Sequence, residues 1–367
     1  MEVGVWKLEF LWCLELGCWS LEIGASLELG ASLKVPFPGI LEPMQSKIIT
    51  VVPVYNGDKF IRATLDSIAR QSLPADRLVV LDNCSTDNTE KVVKEFQASH
   101  PCEWIRNPKN LGLFGNCNRA LEFAPEAKYL HLMCADDLVE PDFYKVLTAE
   151  LDSTEGLGLA YSLDERIDEQ DRRLSISGKA TGTAEEVPVD VFLMRKAEIS
   201  NQAFSGTLMK TNFQKAPCQF RLDMPILADV AFWAAWGKHC RKIVQVNRPL
   251  CKYRWHGDNT TNLVMPGMDA LILDEWRVIQ MNEQLRNGGA GLVRRFKLKG
   301  LFAVRTGIKA KRIRQQNNLN YSREIVREGK KISGPLAWYM GQAVVEARDL
   351  VIYGLMRRPR HPKNVYS

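Results

Sequence analysis

Nine cysteines occur in the sequence, yet none forms a CxxC pair or a Cys/His zinc spacing. Neither a redox dithiol nor a structural zinc module is therefore expected. Cys117, Cys134 and Cys251 lie in apolar stretches, where a reduced thiol packs as a small hydrophobe, and a reducing, cytoplasmic setting fits best. No apolar run approaches the roughly 20 residues that cross a bilayer. The best stretch, Leu336 to Met356, is broken by Glu346, Arg348 and Asp349 and reads as a packed or interfacial amphipathic helix. Glycine-rich phosphate cradles are missing as well. The turn Pro53-Val54-Tyr55-Asn56-Gly57-Asp58 has one glycine and a bulky tyrosine, which excludes the G-x-G-x-x-G loop of dinucleotide binding, and no GxxxxGK[ST] loop is present. Acidic residues are absent from Gln284 to Arg323, where Arg294, Arg295, Lys297, Lys299, Arg305, Lys309, Lys311, Arg312, Arg314 and Arg323 fall. Such a block suits an anionic surface, and equally an ordinary solvated helix face.

What is present is a chain of 367 residues, 46% hydrophobic and 25% charged, with a net charge of +6. It is long enough for one large domain with an appendage, or for two ordinary domains. Residues 1–45 repeat a phrase, Leu14-Glu15-Leu16-Gly17, Leu21-Glu22-Ile23-Gly24 and Leu27-Glu28-Leu29-Gly30. The units are too short to bury a face, and their glutamates deny them the apolar core of a signal peptide. They read as a low-complexity leader outside the fold, with translation starting at Met44. Peptide mapping of the native N-terminus tests this.

From Lys47 strands alternate with helices. Ile48 to Val52 is a β-branched run, as expected of a strand buried on both faces. Phe60, Ile61, Leu65 and Ile68 then recur at helical spacing. A second strand, Arg77 to Leu81, closes on a polar cluster from Asp82 to Asp87 that offers caps for a helix from Thr89 to Ala98. An extended piece at Glu103 to Ile105, a helix near Phe114 to Phe123 and a strand at Lys128 to Met133 complete the pattern. It predicts an α/β fold with a mostly parallel central sheet and helices on both faces. Ligands bind such sheets at the carboxyl ends of the strands, where Asn56, Asp82 and Asp136-Asp137 fall.

Without a backbone cradle, a pyrophosphate group needs another counter-charge. A Mg²⁺ or Mn²⁺ ion held by one or two carboxylates supplies it, and Asp136-Asp137, just past an apolar strand, offer them. An ordinary exposed turn is the plain alternative. The segments Val51-Val52-Pro53-Val54-Tyr55-Asn56, Asp82-Asn83-Cys84-Ser85-Thr86-Asp87, Asn107-Pro108-Lys109-Asn110-Leu111-Gly112 and Cys134-Ala135-Asp136-Asp137 resemble, in order and spacing, the motifs of family 2 glycosyltransferases with the GT-A fold. The resemblance covers residues 47 to 262. It implies a nucleotide-sugar donor, often carrying uracil, and transfer with inversion to an acceptor hydroxyl. Pro53, Tyr55 and Asn56 would line the nucleotide pocket, Asp82 would contact the base, and Asn110 and Asn118 would sit nearby. Asp136 would reach the ribose or the metal, and Asp137 would bind the metal. The stretch Tyr253-Arg254-Trp255-His256 resembles the family's tyrosine-arginine-x-histidine segment, which makes Arg254 a phosphate partner and His256 a metal or diphosphate contact.

Two positions depart from the family pattern. Cys134 stands where the first acid of D-x-D is common, so metal binding leans on Asp136 and Asp137. In Leu227-Ala228-Asp229 an alanine replaces the first acid of the usual Glu-Asp pair, leaving Asp229 as the candidate base. The plain reading of Asp229 is an acid in a helix's first turn, favoured by the macrodipole. Trp233 and Trp236 are expected in the core. From residue 266 the chain reads as a basic helical region without a catalytic motif, suited to an anionic membrane surface carrying lipid-linked acceptors. The expected partners are thus a donor nucleotide sugar, a glycan or lipid-linked acceptor and the inner face of a membrane, with no nucleic acid. A sugar nucleotidyltransferase shares a similar sheet, but its glycine-rich, arginine-bearing loop is missing here. A catalytically silent sugar-binding homologue is the other alternative, kept open by Cys134 and Ala228.

Overall fold

The computed structural model describes residues 48–199, 203–257, 268–288, 291–315 and 318–350. The expected leader, the start at Met44 and the segment after Gly257 lie outside these residues. The chain divides into two compact units, one ending at Ala290 and the other beginning at Gly291.

In the first unit β1 (Ile48–Val54), β2 (Arg77–Asp82), β3 (Glu103–Arg106) and β4 (Tyr129–Leu132) form the parallel part of one sheet. The sheet continues through β5 (Leu138–Val139), β6 (Gly158–Ile167), β9 (Thr207–Lys210) and β10 (Lys242–Arg254) in the spatial order β3-β2-β1-β4-β9-β6-β10-β5. β9 runs antiparallel to β4 and β6, whereas β6 and β10 are parallel. Two short strands, β7 (Arg173–Ile176) and β8 (Ala184–Glu186), edge β6 and β10.

Alternation along β1 builds two cores. Ile48, Val52 and Val54 face one side, with α1 (Ile61–Ala69), α2 (Thr89–Gln97) and α4 (Phe143–Leu151) packed there through Ile61, Leu65, Val93, Phe96, Phe143 and Leu147. Ile49 and Val51 face the other side, covered by α3 (Leu113–Ala120), α5 (Val189–Ala197) and α6 (Ala228–His239) through Cys117, Phe192, Phe232, Trp233 and Trp236. Each such aliphatic or aromatic side chain contributes about 1.5–3 kcal/mol. These layers are those of an α/β sheet with helices on both faces, as expected.

Register sets the site. Val54 pairs with Asp82, and Asp82 with Arg106, so three strands end level and their loops converge. The polar cluster after β2 supplies the cap of α2, as expected. Asp87, the last residue of that cluster, accepts from the Thr89 N–H at 3.0 Å, while the side chain of Asn88 makes no cap bond. The helix near residues 114–123 stops early. After Ala120 it tightens into a 3₁₀ segment, Leu121–Glu126, which contains Pro125.

The sequence places a boundary at 265/266, but α7 (Met268–Asn287) belongs to the sheet unit. Its Val278 packs with Met224, Ala228 and Ala231. Asp274 accepts from the Ile226 and Leu227 N–H groups at 2.9 and 3.1 Å, fixing the entry to α6. The second unit holds α8 (Leu292–Gln315), α9 (Leu319–Ser333) and α10 (Pro335–Asp349) around Phe302, Ile325, Trp338 and Val345. Within it Lys311 pairs with Glu346 and Asp349 at 2.8 Å each. The basic run is therefore partly consumed by ion pairs. Among the described residues no helix is long and apolar enough to cross a membrane.

Candidate active site

Loops after β1 and β2 are laced together before either can meet a ligand. Asn56 adopts the left-handed region at φ 51°, which asparagine tolerates better than most residues. Its N–H donates to Ser85 Oγ at 2.9 Å, and its Oδ1 accepts from the Thr86 N–H at 2.8 Å. Gly57 and Asp58 donate to Thr89 Oγ1 and Asp87 Oδ2. Pro53 is half-buried at the strand end, and Tyr55 is exposed beside Asn56.

Asp82 is fully buried. Both its oxygens accept from the Ser85 N–H, and Oδ2 also accepts from Arg106 Nη1 at 2.9 Å. Arg106 Nη2 donates onward to the Ser85 carbonyl at 2.8 Å. In this structure Asp82 braces the turn that carries Cys84 at φ 67°. Asn110 is exposed, its Oδ1 accepting from Asn83 Nδ2 and the Gly112 N–H, both at 2.8 Å. Behind it a buried amide cluster holds the loop: Asn107 Nδ2 donates to Asn83 Oδ1 and Asn116 Oδ1, and Asn116 Nδ2 to the Leu81 carbonyl. Asn118 is committed elsewhere, with both ends of its amide bonded to the backbone of Phe220 at 3.0 and 2.7 Å.

After β4, Cys134, Asp136 and Asp137 bring ligand atoms within 4.8 Å of one another. Asp136 keeps 29% of its side chain exposed and bonds His256 Nε2 through Oδ2 at 3.0 Å. Asp137 is 1% exposed. Its Oδ1 accepts from the Arg254 N–H at 2.9 Å and its Oδ2 from Ser205 Oγ at 2.7 Å. Thr64 Oγ1 reaches the carbonyls of Ala135 and Asp137. Burial and the adjacent Asp136 charge push the Asp137 carboxyl well above the usual carboxylate range. Burial and both carboxylates likewise raise the Cys134 thiol.

Arg254 is 2% exposed. Its Nε donates to the Asp136 carbonyl at 2.8 Å, and its Nη1 to the Asp168 carbonyl at 3.0 Å and Asp171 Oδ1 at 2.5 Å. The guanidinium lies 4.8 Å from the centre of the Phe60 ring, which also meets the His256 ring at 4.9 Å. The expected phosphate partner is thus the clasp of the 136–137 loop.

Asp229 occupies the first turn of α6, half-buried, with Oδ1 accepting from the Val230 N–H at 2.8 Å. Its charge reaches two buried groups. Burial drives the Lys196 ammonium down to about 7 while Asp229 pulls it up, and Cys117 is raised to about 12 by burial and by Asp229.

The structure therefore gathers Asp136, Asp137, Arg254 and His256, and joins Asn56 to Asp82 through Ser85. Asn110 enters through Asn83. Arg106, Lys196, Ser205 and Asp274 were missed by the sequence reading. Nothing in their local spacing marks them, because their partners lie far away along the chain.

Residues 49–205 match Glycosyl transferase family 2. Chondroitin synthase of Escherichia coli is 27% identical over 124 residues, 34% of this chain and 18% of that protein. An uncharacterized glycosyltransferase of Haemophilus influenzae is 25% identical over 221 residues, 59% of this chain and 68% of the relative. The chain thus spans less than a fifth of the first relative's length. The crystal structure of S. aureus TarS 1-349 in complex with UDP-GlcNAc superposes with a TM-score of 0.58 at 16% identity, covering 86% of this chain and 93% of that one. At that identity the likeness concerns the fold, which is that of the GT-A enzyme. Residues 49–205 of this chain thus form a domain that matches glycosyltransferase family 2.

Proposed function

We propose that the protein transfers a sugar from a nucleotide-diphosphate sugar to an acceptor hydroxyl with inversion, in the synthesis of a cell-surface polysaccharide or glycolipid. One observation carries the reading: a half-exposed carboxylate, Asp136, sits beside a buried one, Asp137, at the carboxyl end of β4, both held by hydrogen bonds from other elements. A buried carboxylate beside a second acid is costly without a counter-charge, and a divalent cation supplies one. The oxygen donors fit Mn²⁺ or Mg²⁺, which take one or two protein carboxylates and fill the rest of their coordination with phosphate and water. Asp136 and Asp137 would hold the ion, with Cys134 behind them and His256 orienting or joining Asp136. When bound, the ion would stabilise the charge of the departing diphosphate.

The chain's own residues supply the rest. Pro53, Tyr55 and Asn56 form the floor against which a nucleotide would lie, and Asp82 with Arg106 keeps that floor in shape. Asn110 offers a polar edge beside it. Asp229 is the base that takes the acceptor's proton. A uridine donor is favoured by the resemblance of these loops and by the ligand named in the TarS complex. A thermal-shift screen of nucleoside diphosphates with and without Mn²⁺ tests the reading: UDP with Mn²⁺ should raise Tm more than either alone. If no nucleoside diphosphate shifts Tm in the presence of Mn²⁺, the reading fails.

The acceptor side is proposed to be membrane-borne, with the protein peripheral at the cytoplasmic face. Leu292, Val293 and Phe296 stand exposed on the first turns of α8, interleaved with Arg294, Arg295 and Lys297. Apolar side chains among cations suit an anionic lipid surface. Flotation with phosphatidylserine vesicles should carry the protein upward. Equal recovery with neutral vesicles removes this part of the proposal.

A further inference from the structure

A continuous chain of buried hydrogen bonds runs from the middle of the sheet to the candidate cation site. Thr50 and His131 are register partners on β1 and β4, and both are fully buried with Tyr144 and Ser205. Thr50 Oγ1 lies 2.6 Å from the Tyr144 hydroxyl, which lies 3.0 Å from His131 Nδ1. His131 Nε2 is 3.0 Å from the Ser205 carbonyl. Ser205 Oγ then accepts from the Cys134 N–H at 3.0 Å and donates to Asp137 Oδ2 at 2.7 Å.

Each proton in the chain has one consistent place. A carbonyl only accepts, so His131 carries its hydrogen on Nε2. Burial holds the ring neutral, its pKa lowered to about 4, so Nδ1 accepts from the Tyr144 O–H. The Tyr144 oxygen accepts in turn from Thr50. At the far end Ser205 takes the Cys134 N–H on a lone pair, which leaves its own hydrogen for Asp137. Both carboxylate oxygens of Asp137 thus act as acceptors, and each retains a lone pair for a cation.

We propose that Ser205, fixed from behind by His131, is the positioning residue of the cation site. It ties the Cys134 backbone and the Asp137 carboxylate to one short turn, and His131 ties that turn to the centre of the sheet. This rests on the reading of Asp136 and Asp137 as cation ligands. Ser205 touches neither donor nor ion; it acts by setting where Asp137 points. Losing such an outer partner of a metal ligand typically weakens binding about 10–100-fold.

The test is Mn²⁺ binding to the full chain, read from free Mn²⁺ by electron paramagnetic resonance. Tm is measured alongside. Native protein should bind, and Asp137→Asn should not. Ser205→Ala should weaken binding by about tenfold or more, and Ser205→Thr, which keeps the hydroxyl, should restore most of it. His131→Gln keeps an N–H for the Ser205 carbonyl but lacks the ring's second nitrogen, so it should fall between; it also provides a second route should Ser205→Ala not fold. Thr148→Val removes a buried hydroxyl bonded within its own helix and should leave Mn²⁺ affinity unchanged even where Tm drops. If native protein binds, Asp137→Asn does not, and Ser205→Ala and His131→Gln both match native, the positioning role is overturned while the cation reading stands. If native protein binds no Mn²⁺, or Asp137→Asn binds as well as native, the cation reading fails and takes this inference with it.

Discussion

Arg254 donates its backbone N–H to the Asp137 carboxylate at 2.9 Å, and this bond ties the end of β10 to the loop after β4. The same residue reaches the Asp136 carbonyl with its side chain at 2.8 Å. Two adjacent acids are therefore placed by one arginine, from its main chain and from its guanidinium.

The first prediction concerns that arginine. Arg254→Met keeps much of the apolar stem against Phe60 but abandons the Asp136 and Asp168 carbonyls. Hydrogen bonds from a charged group contribute about 1.5–3 kcal/mol each, so losing two is expected to cost about 3–6 kcal/mol, read as a lower urea midpoint. Affinity for a nucleoside diphosphate should fall along with stability. Weakened nucleotide binding at unchanged stability would instead make Arg254 a direct phosphate ligand.

A second prediction concerns Asp137, whose carboxyl is held well above the usual range by burial and by Asp136. A carboxyl with a raised folded pKa costs stability when ionised, and that cost grows as pH rises past the ordinary carboxylate range. Asp137→Asn should therefore unfold at a higher temperature than native protein at neutral pH without added metal. The difference should shrink in acid. Adding Mn²⁺ at about 100 times its Kd should stabilise native protein by about 2.7 kcal/mol and leave the variant unmoved. Scanning calorimetry at two pH values, with and without Mn²⁺, measures all of this.

How far the sequence reveals this site depends on distance along the chain. Asp136 and Asp137 are visible because two acids directly after an apolar strand fall at a carboxyl end, and Asn56 and Asp82 are visible for the same reason. Ser205 meets Asp137 across 68 positions and Arg254 meets it across 117; only the order of strands in the sheet brings them together. Asp82 illustrates the opposite limit. Its position was legible, but its bonds to Ser85 and Arg106 depend on a turn conformation and on β3 lying alongside. The parallel half of the sheet was readable from short apolar runs, β-branched in β1 and β2. The place of the antiparallel β9 between β4 and β6 was not, since a four-residue strand carries too little pattern to fix its neighbours.

The pH response of His131 gives a third prediction. Its folded pKa, about 4, lies below the ordinary 6.5, so the unfolded chain takes up a proton first. Stability from this residue is complete above pH 6.5 and is lost as pH falls through 6.5 towards about 4. The shift corresponds to about 3 kcal/mol. Other groups titrate in the same window, so the useful quantity is the difference between native protein and His131→Gln. That difference in unfolding free energy should narrow by about 3 kcal/mol between pH 7 and pH 4, measured by urea unfolding. A constant difference would mean the ring takes up its proton as readily in the fold as in the unfolded chain, and the neutral ring with its assigned hydrogen positions would be wrong.

Asp229 can be separated from its plainer reading by an isosteric change. As a first-turn acid it interacts with the helix dipole for about 0.3–1 kcal/mol, and its Oδ1 bonds the neighbouring Val230 N–H. Asp229→Asn keeps an oxygen for that bond and removes only the charge. The buried Lys196 beside it, already lowered to about 7, then loses a favourable neighbour and shifts towards its neutral form, which limits the damage. Stability should fall by about 1 kcal/mol or less. If Asp229 takes the acceptor's proton, transfer should drop about 10²–10⁴-fold while UDP affinity, measured by calorimetry with Mn²⁺ present, stays within about twofold, because the base acts on the acceptor and not on the donor. Transfer that survives the substitution would leave Asp229 as a helix-end acid and move the search for the base to another residue on the same rim.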